Sequence, residues 1–150
     1  MKFIWFVLTS ALILIATACG GGNSQMNNTV TGNWTAALSN PDGSPALAFT
    51  TSLKQNSGDS AVDVNNLTFT TSAGCFPGSS TATGAFVLSG NFNGQTKGSF
   101  QMTVQSGTTM SGNLLTLQGT VNNNMVSGAW TLTGVTSGCA GSGNFTMNKM

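Results

Sequence analysis

Across its 150 residues this chain has no histidine and no tyrosine, and only four basic and three acidic side chains, so it lacks the groups that ordinarily move protons near neutral pH. The basic residues are the scattered lysines Lys2, Lys54, Lys97 and Lys149, too few to neutralise a run of phosphates, which excludes nucleic acid as a partner. With 39% hydrophobic residues it also escapes the composition of disordered chains, and the part after its N-terminal segment suits one folded domain of about 120 residues.

Lys2 is followed by an apolar run from Phe3 to Ala18, with small residues leading to Cys19. The run is short of the roughly 20 residues a membrane-spanning helix needs, and the pattern is that of a secretory signal. The segment Ala16-Thr17-Ala18-Cys19 resembles the lipobox of bacterial lipoproteins. That resemblance implies cleavage after Ala18 and acylation of Cys19, with palmitate among the chains, and two or more acyl chains anchor a protein stably. Gly20 directly after Cys19 resembles the outer-membrane sorting class, so the expected address is the bacterial envelope, lipid-anchored at the outer membrane. The competing reading is an ordinary signal cleaved at the Ala-x-Ala site with Cys19 unmodified. Gly20 to Asn28 has no apolar period and is expected to be a flexible tether. The predicted organisation is a signal peptide over 1–18, the lipidated cysteine and tether over 19–29, and a β-domain over 30–150.

From Val30 onward apolar residues alternate with Thr, Ser, Asn and Ala. Val30, Gly32, Trp34, Ala36 and Leu38 share one face of the first strand, and Leu47, Phe49, Thr51 and Leu53 share one face of the second. Val62 and Val64 fall on one parity and Leu67 and Phe69 on the other, which predicts a bulge at Asn65-Asn66. The later strands are marked by Phe86 to Phe92, Phe100 to Val104, Leu115 to Val121, Val126 to Leu132, and Phe145 with Met147. Turns are expected at Asn40-Pro41-Asp42-Gly43, Asn56-Ser57-Gly58-Asp59, Asn93-Gly94 and Asn122-Asn123-Asn124. A Gly-x-aromatic spacing recurs, as in Gly98-Ser99-Phe100, Gly128-Ala129-Trp130 and Gly143-Asn144-Phe145. It places glycine and ring on the same face, where a ring can cover a bare glycine and the glycine lets the sheet bend. Eight short strands with short connections predict an all-β, eight-stranded antiparallel up-and-down barrel, with a two-sheet sandwich as the alternative.

Apart from Cys19 the cysteines are Cys75 and Cys139, an even pair in an exported chain, which predicts a disulfide. Such a bridge constrains the unfolded chain by about 4 kcal/mol in the entropy model. Cys75 follows strand 3 and Cys139 follows strand 7, so the two share one end of an up-and-down barrel. The bridge is expected to strap the mouth opposite the one where the chain enters.

Chemistry has little to stand on. Two cysteines without histidine make no zinc site, and no cofactor is expected. Asp59 and Asp63 stand about 13 Å apart on an extended chain, beyond the roughly 5 to 9.5 Å of paired glycosidase carboxylates. The serines and threonines have no base to activate them, and the chain is not expected to be an enzyme. Eight strands enclose room for packed side chains or for one small ligand. Trp34, Phe49, Phe69, Phe86, Phe92, Phe100, Trp130 and Phe145 are placed inward as a core, or as the lining of an apolar site walled by Trp34 and Trp130. Gly32-Asn33-Trp34 resembles the Gly-x-Trp of the calycin group, the lipocalins and avidins, which implies a small apolar ligand in the barrel. The alternative is a monomeric structural lipoprotein with a filled core that contacts an envelope protein or glycan.

Overall fold

The computed structural model describes residues 30–57, 59–71, 74–76, 80–92, 95–107 and 112–150, with the backbone alone for 88–92 and 95–96. The predicted signal peptide, Cys19, the predicted tether, the turn expected at Asn93-Gly94 and the side chain of Phe92 lie outside the described residues. Eight strands follow one another: β1 (Gly32–Ser39), β2 (Pro45–Gln55), β3 (Ala61–Thr71), β4 (Ser80–Phe92), β5 (Gln95–Ser106), β6 (Leu114–Asn122), β7 (Met125–Thr133) and β8 (Gly141–Lys149). Each pairs antiparallel with the next, and β8 pairs back onto β1. This is the closed up-and-down barrel that the alternation predicts, and no helix occurs among the described residues.

The period of two along each strand sends one set of side chains inward and leaves the other wet. Trp34, Phe49, Phe86, Met102, Leu115, Leu117 and Met147 are among the fully buried side chains, whereas the outward positions are mostly Thr, Ser, Asn and Gln. One inner row runs round most of the wall. Phe86, Phe100, Gly119, Gly128, Phe145, Leu38 and Leu47 are successive cross-strand partners from β4 through β8 to β1 and β2. The Phe145 ring reaches across the two glycines, its Cζ 3.0 Å from where a Cβ on Gly119 would stand. Phe86 covers Gly98 likewise, and the Trp130 indole lies over Gly141 and Gly143. Bare glycine on the inner wall is therefore the floor on which the rings of neighbouring strands lie.

The bulge falls where the change of parity places it. Thr50 faces Thr68 and Ser52 faces Asn65, so Asn66 and Leu67 together oppose Thr51. Asn66 takes the left-handed conformation (φ 51°) that asparagine tolerates better than most side chains. The buried Thr51 hydroxyl donates to the Asn65 carbonyl at 2.9 Å. Val62 and Val64 before the bulge, and Leu67 and Phe69 after it, all belong to the core or pack on it.

The wall is uneven. Among the described residues the β3–β4 ladder holds three partner pairs, Ala61 with Ala85, Val62 with Gly84 and Asp63 with Thr83, followed by one bond from the Phe86 amide to the Ser60 carbonyl at 2.8 Å. Val30 precedes β1 and keeps the inward side that the alternation assigns it, 1% exposed, while Gly32 opens the strand with φ 143°. Leu115 takes the inner position of β6 as expected, and Leu114 beside it points outward.

Candidate functional site

The turns after β1, β3, β5 and β7 meet at one end of the barrel. There Cys75 and Cys139 form the predicted bridge, with Cα atoms 5.5 Å apart and both residues buried. Asn113, from the turn after β5, is only 3% exposed and ties all three loops together. Its Nδ2 donates to the Cys75 carbonyl at 2.7 Å and to Thr136 Oγ1 at 3.2 Å, while its Oδ1 accepts from the Thr136 amide at 3.3 Å. Phe76 lies beneath, buried and stacked on Phe69 with ring centroids 4.5 Å apart. The strapped mouth is thus crossed by a covalent bond, a satisfied amide and a stacked ring pair.

At the opposite mouth the incoming chain packs onto the wall. Val30 is 1% exposed, and the Trp34 Nε1 donates to the Val30 carbonyl at 2.7 Å. The stem of Lys149 passes over Gly32, where a Cβ would collide with it. Thr31 Oγ1 accepts from the Gln55 amide at 3.0 Å, holding the incoming segment to the end of β2.

Trp34 and Trp130 are both buried and stand at different register positions. Trp34 is level with Lys149 on β8 and Trp130 with Gly143, a displacement of about 20 Å along that strand. Each indole has spent its one donor on main chain, Trp34 on Val30 and Trp130 on the Ser39 carbonyl at 2.9 Å. A buried indole normally finds such a partner; here neither N–H is left to orient a guest.

The carboxylates occupy turn and wall positions. Asp42 accepts from the Ser44 hydroxyl at 2.6 Å and the Ser44 amide at 2.9 Å, which hold its carboxyl below the usual aspartate range. Asp59 accepts from the Ala61 amide and Asp63 from Asn56 Nδ2. No cluster of three metal-binding side chains occurs among the described residues.

Among the described residues, open depressions lie on the outer wall and at the rim. One of about 240 Å³ lies over β4, β5 and β6 beside Val87, Gln101 and Gln118. Val87 is 54% exposed, a rare large apolar side chain on that face. The others, about 380 and 540 Å³, stand at the end of the barrel where the chain enters, one beside Lys97 and one beside Lys54.

Asn113 and Phe76 are the structural residues that the pattern of alternation passes over. Asn113 is hidden inside a repeat that elsewhere marks strands, and Phe76 follows Cys75 in a turn with no periodicity to assign it. Comparison with protein-family models, with curated proteins and with solved structures finds no match for this chain.

Proposed function

We propose that this chain is a non-catalytic lipoprotein of the bacterial envelope, anchored through acylated Cys19 at the outer membrane, with a filled barrel that acts through its outer surface. The observation that carries this reading is the use of both tryptophans. Trp34 and Trp130 lie at different levels of the barrel, and each indole N–H is bonded to main chain. The bridge and Asn113 across one mouth and buried Val30 at the other support the same reading. The likeness to the calycin group then rests on barrel form and on Gly32-Asn33-Trp34, not on an enclosed ligand.

An apolar interior with a hydroxyl- and amide-rich exterior is the reverse of a barrel that spans a membrane, whose outward band is apolar. That supports a body seated on the membrane by its anchor. Absence of His, Glu and Arg from the sequence supports a role without acid–base catalysis, and partners are then envelope glycan or protein.

Native mass spectrometry of the mature protein, purified in mild detergent with and without reductant, tests the reading. The expected species carries acyl chains on Cys19, is oxidised at Cys75 and Cys139, and retains no small molecule. A copurified apolar ligand would make the protein a carrier instead, and a mass without acyl chains would remove the anchor.

A further inference from the structure

All three lysines of the barrel stand on one rim. Lys54 is next to last in β2, Lys97 lies near the start of β5 opposite Asn122 at the end of β6, and Lys149 ends β8. In an up-and-down barrel these positions share the end at which the chain enters β1. The strapped end carries Asp42 as its one charged side chain among the described residues.

Two of the lysines border depressions. The one beside Lys97 is completed by Ser99, Thr120 and Asn122, and the one beside Lys54 by Thr31, Ser52 and the Asn65-Asn66 bulge. Each sets an ammonium beside hydroxyl and amide donors, a combination that suits phosphate oxygens. Two carboxylates share this rim, both on the β2–β3 side: Asp59 in the turn, and Asp63 as the cross-strand partner of Lys54. The strands that carry and flank Lys97 and Lys149 have no side-chain carboxylate among the described residues, and the positive field is strongest on the β5 side, around Lys97.

We infer that this rim docks on the anionic phospholipid headgroups of the membrane that holds the anchor, with Lys97 and Lys149 as the leading contacts and the Lys97 depression receiving a headgroup phosphate. The inference rests on the anchor reading above. The position of the tether argues for this occupant. Val30 is buried in this mouth, so the chain leaves from the rim itself, and the segment from Gly20 to Thr29 spans at most about 35 Å at full stretch. The attraction of an anionic surface decays within a Debye length of about 8 Å, so only lysines at the membrane-facing end can feel it.

The test uses the mature acylated protein in vesicles of phosphatidylcholine alone and of phosphatidylcholine mixed with phosphatidylglycerol. Labelling of each lysine amine is followed by peptide mass spectrometry. Lys97 and Lys149 are expected to label about fivefold more slowly on the anionic vesicles, the factor equivalent to about 1 kcal/mol per lysine, and to recover at high salt. In the Lys97→Gln/Lys149→Gln protein the lipid dependence of Lys54 labelling should disappear. Equal rates on the two vesicles would overturn the docking while leaving the anchor standing. Equal protection by inorganic phosphate on neutral vesicles would also overturn it, in favour of a site for the free anion. Intact mass is read on the same sample, and a protein without acyl chains would end both readings together.

Discussion

Gly119 on β6 and Gly128 on β7 are direct partners, and the Phe145 ring from β8 lies across the flat strip that they leave on the inner wall. A Cβ on Gly128 would meet the Gln118 carbonyl and the Gly119 Cα, and one on Gly119 the Ser127 carbonyl. Replacing a strand glycine by alanine ordinarily gains about 0.5–1 kcal/mol in chain entropy, whereas overpacking costs about 1–3 kcal/mol. Here backbone is the obstacle, so the second effect should win. Gly128→Ala is expected to lower the urea midpoint, with Ser127→Ala on the same strand as the near-neutral control. A raised midpoint for Gly128→Ala would show that the strip tolerates a methyl group.

Removal of the bridge should leave a folded but weaker barrel. Replacing Cys75 and Cys139 by serine removes about 4 kcal/mol of constraint in the entropy model, from a total that for a domain of this size is about 5–15 kcal/mol. Urea unfolding of wild type with and without reductant should reproduce the double variant. A loss near zero would mean that the loops are held by Asn113 and Phe76 alone.

Asn113 is expected to be the most sensitive polar residue of the strapped end. Asn113→Ala strips the Cys75 carbonyl and the Thr136 amide of their partner in a buried place, a loss of about 1–3 kcal/mol. Asn113→Asp keeps an acceptor for the Thr136 amide but sets an oxygen against the Cys75 carbonyl, and should be worse at neutral pH than in acid. Thermal unfolding at the two pH values separates these effects. Equal midpoints for wild type and Asn113→Ala would assign the loop junction to the disulfide.

The stability of the barrel should be nearly independent of pH between about 5 and 8, since the chain has no histidine to titrate there. Below that window Asp42 contributes. Its carboxyl is held below the ordinary range by the Ser44 hydroxyl and amide, so the contribution is complete above the unfolded value and is lost as pH falls through the folded one. Ser44→Ala, which removes the first of those bonds, should flatten the acid limb of a midpoint-against-pH curve. An unchanged acid limb would place the sensitivity elsewhere.

Trp34 and Trp130 are both buried, so in the mature form proposed above the fluorescence should be that of indoles out of water. On the filled-barrel reading, titration with a fatty acid or another apolar probe should leave the emission unchanged. Trp130→Phe should lose about 1–3 kcal/mol through the unpaired Ser39 carbonyl. Saturable quenching by the probe would revive the enclosed-ligand reading.

Most of this architecture was legible in the chain, since a period of two with glycine set against a ring specifies face, bend and strand together. The parity change between Val64 and Leu67 located the bulge, and two cysteines ending strands of the same sense located the bridge. The packing between elements was not legible. Nothing in Val30-Thr31-Gly32 shows that β1 begins only at Gly32 or that the Trp34 indole bonds back to Val30, because alternation describes a face and not the path that reaches it. Nor does composition separate an inner face that closes on itself from one that encloses a guest; that depends on the levels at which Trp34 and Trp130 stand, which follow from register.

The bridge between Cys75 and Cys139 also changes the order in which the barrel can be assembled. Seven of the ladders join neighbours in the chain, but the last joins β1 to β8, bringing together Ser39 and Asn144 across 105 residues. On that path the two cysteines are separated by 64 positions in sequence, so oxidation short-circuits more than half of it. Loop closure costs about 0.6 kcal/mol more for each doubling of length, and an oxidised chain therefore closes its final seam with an advantage of about that size or slightly more. On the envelope reading proposed above, an oxidising compartment would then act before the barrel is complete, as a shortcut toward the closed form.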